Sequence, residues 1–228
     1  MLFYGTDVGT EPTGEPRCQL CWFKPQNHDQ GLPMETKSAS YWLDILKTTE
    51  TADRRWKQAV NGLAAMGMRA VPALIDATGS DHPEVRRGAG KALHKIGPAT
   101  IPFLMKALRH DKPTVRESAA RGLYGFALKA QQAIPALTDA LQDSDAFVRQ
   151  WVATALQNLA HHFGPVVKGA VPGLADLLKD EDFMVREWAA HALGSIGAAA
   201  GSAVPALQAA LNDEVPSVNE AAASALRE

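Results

Sequence analysis

The sequence predicts an all-α fold: an α-solenoid, a right-handed superhelical stack of about six helix-turn-helix units. Three observations carry this reading. The phrase V-R-x-x-A-A-x-A-L, seen as Val185-Arg186-Glu187-Trp188-Ala189-Ala190-His191-Ala192-Leu193, starts again with small variations at Val85, Val115, Val148 and Val218. A second phrase, V/I-P-x-L, always places its proline 13 residues before that Val, at Pro72, Pro102, Pro135, Pro172 and Pro205. The proline spacings are 30, 33, 37 and 33 residues, and two phrases at a fixed offset and a near-constant period mark a repeat architecture.

Residues 1–37 stand apart. They carry Pro12, Pro16, Pro25 and Pro33, four glycines and no helical periodicity, which reads as an irregular or disordered arm. Its apolar island, Cys18 to Phe23, holds the arm's one chemical motif, Cys18-x-x-Cys21. That spacing suits half of a zinc site or a redox pair, but no second cysteine pair follows. Two idle thiols are the plainer reading, and no metal or cofactor is expected.

The solenoid spans 38–228. Ser40 is placed to cap Tyr41 to Lys47, and Arg54 to Gly67 aligns with the later units as a degenerate copy, with Arg55 and Trp56 in the Val-Arg slots. Residues 38–67 therefore read as a capping repeat, because a terminal unit lacks a neighbour on one side. The next units are expected at 69–97, 99–127, 132–164 and 169–198, with 201–228 as the C-terminal cap. Each first helix opens at its proline, where the missing N–H costs nothing. Each turn carries Asp, placed to cap the second helix. With Val as position zero at 100° per residue, offsets 0, 4, 7, 8 and 11 form one apolar face: Val85, Ala89, Ala92, Leu93 and Ile96 in the first full unit. Gly97 and Gly197 are set to end their helices. The extra residues after Leu156 lengthen the third full unit.

A formal charge of -2 argues against a phosphate-neutralising partner, so no nucleic acid is expected. No apolar run reaches a membrane span and no signal peptide is evident, so the sequence suggests a soluble, cytoplasmic protein.

With both phrases in register, residues 38–228 resemble the HEAT-repeat family, and more narrowly its short Ala-rich subtype named after phycobilisome lyases (the E-Z type). The resemblance implies stacked helix pairs whose second helices line a concave face. It also implies a ladder between adjacent repeats, formed by turn acids (Asp81, Asp111, Asp143, Asp180, Asp213) and the arginines opening the second helices (Arg86, Arg116, Arg149, Arg186). The ladder has no member at Asn219.

Offsets 2, 6 and 9 point away from the core and give the expected partner-binding row. It reads Arg87, Lys91, His94; Glu117, Arg121, Tyr124; Gln150, Thr154, Gln157; Glu187, His191, Gly194; and Glu220, Ser224, Arg227. Trp151 and Trp188 share offset 3 in adjacent units, either as a binding hot spot or as packing against the neighbouring repeat. His161 and His162 point to different sides of a helix, which argues against a shared metal. The His-Glu dipeptides of HEAT-like di-iron hydroxylases are missing, as are G-x-S-x-G, H-E-x-x-H and P-loop motifs. The expectation is a non-enzymatic scaffold for an unknown protein or peptide. A bilin-lyase-like enzyme or subunit, and a structural module of a larger assembly, are the alternatives.

Overall fold

The computed structural model describes residues 37–228. Residues 1–36 of the arm, with Cys18, Cys21 and its apolar island, lie outside the described residues. Those that are described form six consecutive helix pairs and no strand: α1 (Ala39–Thr48) with α2 (Arg54–Ala65), α3 (Val71–Ala77) with α4 (Pro83–Ile96), and α5 (Ile101–Ala107) with α6 (Pro113–Phe126). They continue as α7 (Ile134–Asp139) with α8 (Ala146–Phe163), α9 (Val171–Leu177) with α10 (Phe183–Ile196), and α11 (Val204–Ala210) with α12 (Pro216–Ala225). The repeated architecture is an α-solenoid.

The V/I-P-x-L phrase makes a short first helix. From α3 to α11 these helices have only six or seven residues, each entered through a 3₁₀ turn and each with its proline in the first turn. The second helices are longer, and α8 reaches 18 residues where the extra sequence falls. Their apolar stripe is buried along most of its length: Val85, Ala89, Ala92 and Leu93 on α4, and Val185, Ala189, Ala192 and Leu193 on α10, are all between 0 and 3 % exposed, whereas Ile96 at the end of α4 is half-buried. Successive second helices pack on one another, and each first helix packs on the second helix of its own pair. The small residues at offsets 4 and 7 allow that close approach.

Helix ends follow two patterns. Asp53, Asp145 and Asp182 accept backbone N–H groups at the starts of α2, α8 and α10. The N-caps of α4, α6 and α12 are instead His82, Lys112 and Val215, none with a side-chain bond, so the expected Asp caps are missing there. These three helices open on Pro83, Pro113 and Pro216, which have no N–H to satisfy. Ser38, not Ser40, caps α1 through the Tyr41 N–H. Gly97 and Gly197 close α4 and α10 at φ of 101° and 66°, a region disfavoured for side chains with a Cβ.

The first pair is held by bulk. Trp42 and Leu46 of α1 are buried to 1 and 0 % exposure. Trp42 lies over Gly62 of α2 so closely that a Cβ there would overlap the indole. Leu46 covers Gly88 of α4 in the same manner. Gly62→Ala gains up to about 1 kcal/mol of helix propensity, but overpacking costs about 1–3 kcal/mol. Net destabilisation is the expected outcome in urea unfolding, and an unchanged or raised midpoint would show that α1 is not seated this tightly.

Candidate functional site

The junctions between repeats define the site. At three of them an arginine of one second helix grips an aspartate before the next. Arg116 donates through Nε and Nη2 to Asp143, both at 2.7 Å. Arg149 does the same to Asp180 at 2.7 and 2.8 Å, and Arg186 to Asp213 at 2.7 and 2.9 Å. The remaining Nη1 donates to a carbonyl of the arginine's own turn, that of His110, Asp143 or Asp180. Each aspartate also accepts the backbone N–H two residues on, of Asp145, Asp182 or Val215. These side chains are no more than 12 % exposed, so bidentate geometry and low screening act together. Hydrogen bonding to the carboxylate raises the pKa of each of the three arginines further.

The register differs from the sequence expectation in the first two units. The paired acids lie five residues before the Val of their helix: Asp143 before Val148, Asp180 before Val185, Asp213 before Val218. That slot holds Ser80 before Val85 and His110 before Val115, whereas Asp81 and Asp111 lie one residue later. Ser80 and His110 keep the local duty, accepting the N–H of His82 at 3.2 Å and of Lys112 at 3.0 Å. Neither offers a carboxylate to the preceding repeat. Among the described residues, the side chains of Asp81 and Asp111 make no inter-repeat bond, and Arg86 bonds only the Ser80 carbonyl, at 2.7 Å. At the first junction Trp56 stands in the arginine slot and donates its indole N–H to the Glu84 carbonyl at 3.2 Å.

One junction is therefore without its ion pair or any substitute for it, the one between α4 and α6. It is also the most loosely packed contact between successive second helices. A cleft of about 600 Å³ opens along it. Gly90, Leu93, Leu104 and Gly122 line it together with Arg86, Arg87, Lys91, Lys95, Glu117 and Arg121. A Cβ on Gly90 would meet nothing within 4 Å, so the glycine widens the cleft rather than permitting a contact. His94 crosses it near one end, stacked on Phe126 with centroids 5.1 Å apart. Arg121 reaches Glu117 at 3.5 Å. Another hollow of about 610 Å³, beside the exposed Leu128 and Val166, has Lys129 as its one charged wall residue. Of these two hollows, the α4–α6 cleft is the one where charged groups converge.

The remaining row residues fall into distinct environments. Arg87, Lys91, His94, Arg121, Tyr124, Glu220 and Arg227 are exposed, and Glu117, Gln150, Gln157, Glu187, His191 and Ser224 are half-buried. Thr154 corrects the expectation: it is 6 % exposed, and its hydroxyl donates to the Gln150 carbonyl at 2.8 Å. The long α8 is covered on both flanks, which removes offset 6 from solvent. Gly194 is also buried, because α12 passes so near that Ala225 lies 3.1 Å from where a Cβ would stand. Glu187 accepts a hydrogen bond from Ser217 at 2.8 Å and sits 3.9 Å from His191. Basic side chains thus gather at α4 and α6, while the α10–α12 end is mixed.

Both tryptophans at offset 3 are half-buried. Trp151 receives Arg121 over its face at 4.9 Å and the edge of Tyr124 at 6.1 Å, so it packs on the preceding repeat. Trp188 lies 5.7 Å from His191, and its indole nitrogen is buried with no acceptor in reach among the described residues. Among the described residues no three His, Cys, Asp or Glu side chains converge on a metal-sized site, and no helix is long and apolar enough to cross a membrane.

Stacked helix pairs joined by inter-repeat ion pairs define a helical-repeat solenoid. The HEAT-repeats family matches residues 39–124, 101–167 and 155–227, so the chain belongs to the HEAT-repeat family. No curated protein matches it. Among solved structures it is similar to an engineered protein, 27 % identical over 83 % of this chain and 95 % of that one, with a TM-score of 0.54. A designed armadillo repeat protein in complex with the peptide (KR)4 is 19 % identical over 84 and 99 % of the two chains, TM-score 0.56. The complex of CpcE and CpcF of phycocyanin lyase from Nostoc sp. PCC7120 is 24 % identical over 69 and 98 %, TM-score 0.59.

The last rung carries a pH signature. Hydrogen bonds from Arg186, with help from the Val215 N–H, hold the Asp213 carboxyl below its ordinary value against the opposing effect of burial. A depressed folded pKa means that the unfolded chain takes up its proton first. The stabilisation is therefore present above the ordinary carboxylate pKa of about 4 and is lost as pH falls through the folded value. Asp213→Asn should cost roughly 2–4 kcal/mol at neutral pH. The gap between variant and parent should shrink below about pH 4 in denaturant titrations; a gap constant with pH would exclude the rung as its source.

Proposed function

We propose that this chain is a non-enzymatic scaffold that holds an extended segment of a partner protein against the face formed by its second helices. The observation that carries the reading is the α4–α6 cleft: an open seam in an otherwise tied stack, with convergent polar groups and an apolar floor. Recognition sites in proteins commonly combine these features. From that seam an exposed row continues through Tyr124 to the half-buried Gln150 and Gln157, giving a peptide further side chains to meet. The likeness to a designed armadillo protein that holds a peptide supports the same use of a helical-repeat surface. Arg87, Lys91, His94, Glu117, Arg121 and Tyr124 are the residues assigned to the contact, with Gln150, Gln157, Glu187, His191 and Arg227 as its extension. Trp151 serves by holding Arg121 and Tyr124 in place rather than as an open platform.

The likeness to a phycocyanin-lyase complex motivates a second reading, a bilin-handling subunit. The two readings separate in one pair of experiments. Peptides selected from a random library on the full chain should protect amides of α4, α6 and α8 from hydrogen exchange and leave α7 and α9 unaffected. Failure to select any peptide, or protection confined to the first helices, contradicts the scaffold reading. A visible absorption band that appears on mixing with a free bilin would favour the second.

A further inference from the structure

We infer that the α4–α6 cleft selects an acidic peptide segment, and that it does so because this junction lacks its ladder aspartate. The inference rests on the scaffold reading above and adds the chemistry of the segment. Across the other arginine junctions an aspartate neutralises each arginine and draws the two helices together. Here the equivalent slot holds His110, whose Nδ1 is already engaged by the Lys112 N–H. Arg86 is left with two N–H-bearing nitrogens, Nε and Nη2, without an acceptor among the described residues. It lines the cleft beside Arg87, Lys91, Lys95 and Arg121, and Glu117 is the one carboxylate among the lining residues.

Five full cations against one anion set the sign of the occupant. The positive charge is spread along one seam, as an extended peptide requires, and the accessible apolar lining includes Pro83 and the half-buried Phe126. A segment alternating carboxylates with apolar residues satisfies both surfaces. Its carboxylate would take the place on Arg86 that an aspartate of the next repeat takes on Arg116. Nucleic acid is less well matched, because the row beyond Arg121 turns neutral at Gln150 and Gln157 and acidic at Glu187, leaving little to follow a phosphate backbone.

The test uses the full chain and labelled peptides of about eight residues, alternating Asp with Leu or Lys with Leu, followed by fluorescence anisotropy at two salt concentrations. The Asp peptide should bind at least tenfold more tightly than the Lys peptide and weaken as salt rises. Arg87→Glu with Lys91→Glu should abolish the preference, whereas Lys129→Glu, which lies outside the cleft, should leave it intact. His110→Asp supplies the missing carboxylate, so it should raise the unfolding midpoint and cut Asp-peptide binding at least tenfold. His110→Asn keeps the local hydrogen bond without the charge and should change neither. Equal or stronger binding of the Lys peptide overturns the inference, as does tighter binding of a single-stranded oligonucleotide that displaces the Asp peptide. If library-selected peptides protect the second helices yet carry no acidic residues, the scaffold reading stands and this inference alone fails.

Discussion

The structure depends on one interaction, the bidentate arginine–aspartate pair that spans adjacent repeats. Apolar burial supplies most of the free energy of stacking, but it is non-directional and does not by itself fix one offset between neighbouring turns. The pair fixes that offset. Its planar fork accepts one geometry, and the aspartate is itself fixed by a backbone N–H of the turn it belongs to. Each guanidinium also binds a carbonyl of its own turn. Two turns from neighbouring repeats are thus fastened to one another through a single side-chain pair, and the fastening recurs at α6–α8, α8–α10 and α10–α12.

Where the fastening is missing, the same physics predicts a different surface. The first junction replaces the arginine by Trp56, which keeps a neutral inter-repeat hydrogen bond and buries its ring. The second has no replacement, and there the helices part, the cations gather and a cleft forms. A stack of otherwise equivalent units acquires a special position through the slip of one aspartate by one residue. Function in a repeat protein need not come from an added motif. The loss of a repeated contact leaves polar groups free to meet a partner.

Much of the fold was legible because its signals are redundant. The V/I-P-x-L and V-R-x-x-A-A-x-A-L phrases recur at fixed offset, so an ambiguous copy such as Arg54 to Gly67 is placed by its neighbours. The buried stripe at Val85, Ala89, Ala92 and Leu93 follows from helical periodicity alone. The site was less legible. Thr154 and Gly194 occupy row offsets like any other, but α8 is longer and α12 lies closer than the average repeat, and offset arithmetic does not know about neighbours. The family resemblance implies a ladder acid in every turn, whereas the acids that pair are distinguished by their distance from the Val. Counting back five residues would have separated Asp143, Asp180 and Asp213 from Asp81 and Asp111, and would have placed His110 in the slot facing Arg86. The looseness of the α4–α6 seam has no signal in any single residue, because it arises between two helices that each look regular.

The central claim is that ion-paired junctions hold and the unpaired one opens. Residue-resolved hydrogen exchange on the unliganded full chain tests it most directly, since local opening reports the stability of each seam separately. The account predicts that amides of α4 and α6 facing their common seam exchange faster than the equivalent amides of α8 and α10. Equal protection along the whole stack, or slowest exchange at α4 and α6, would contradict it.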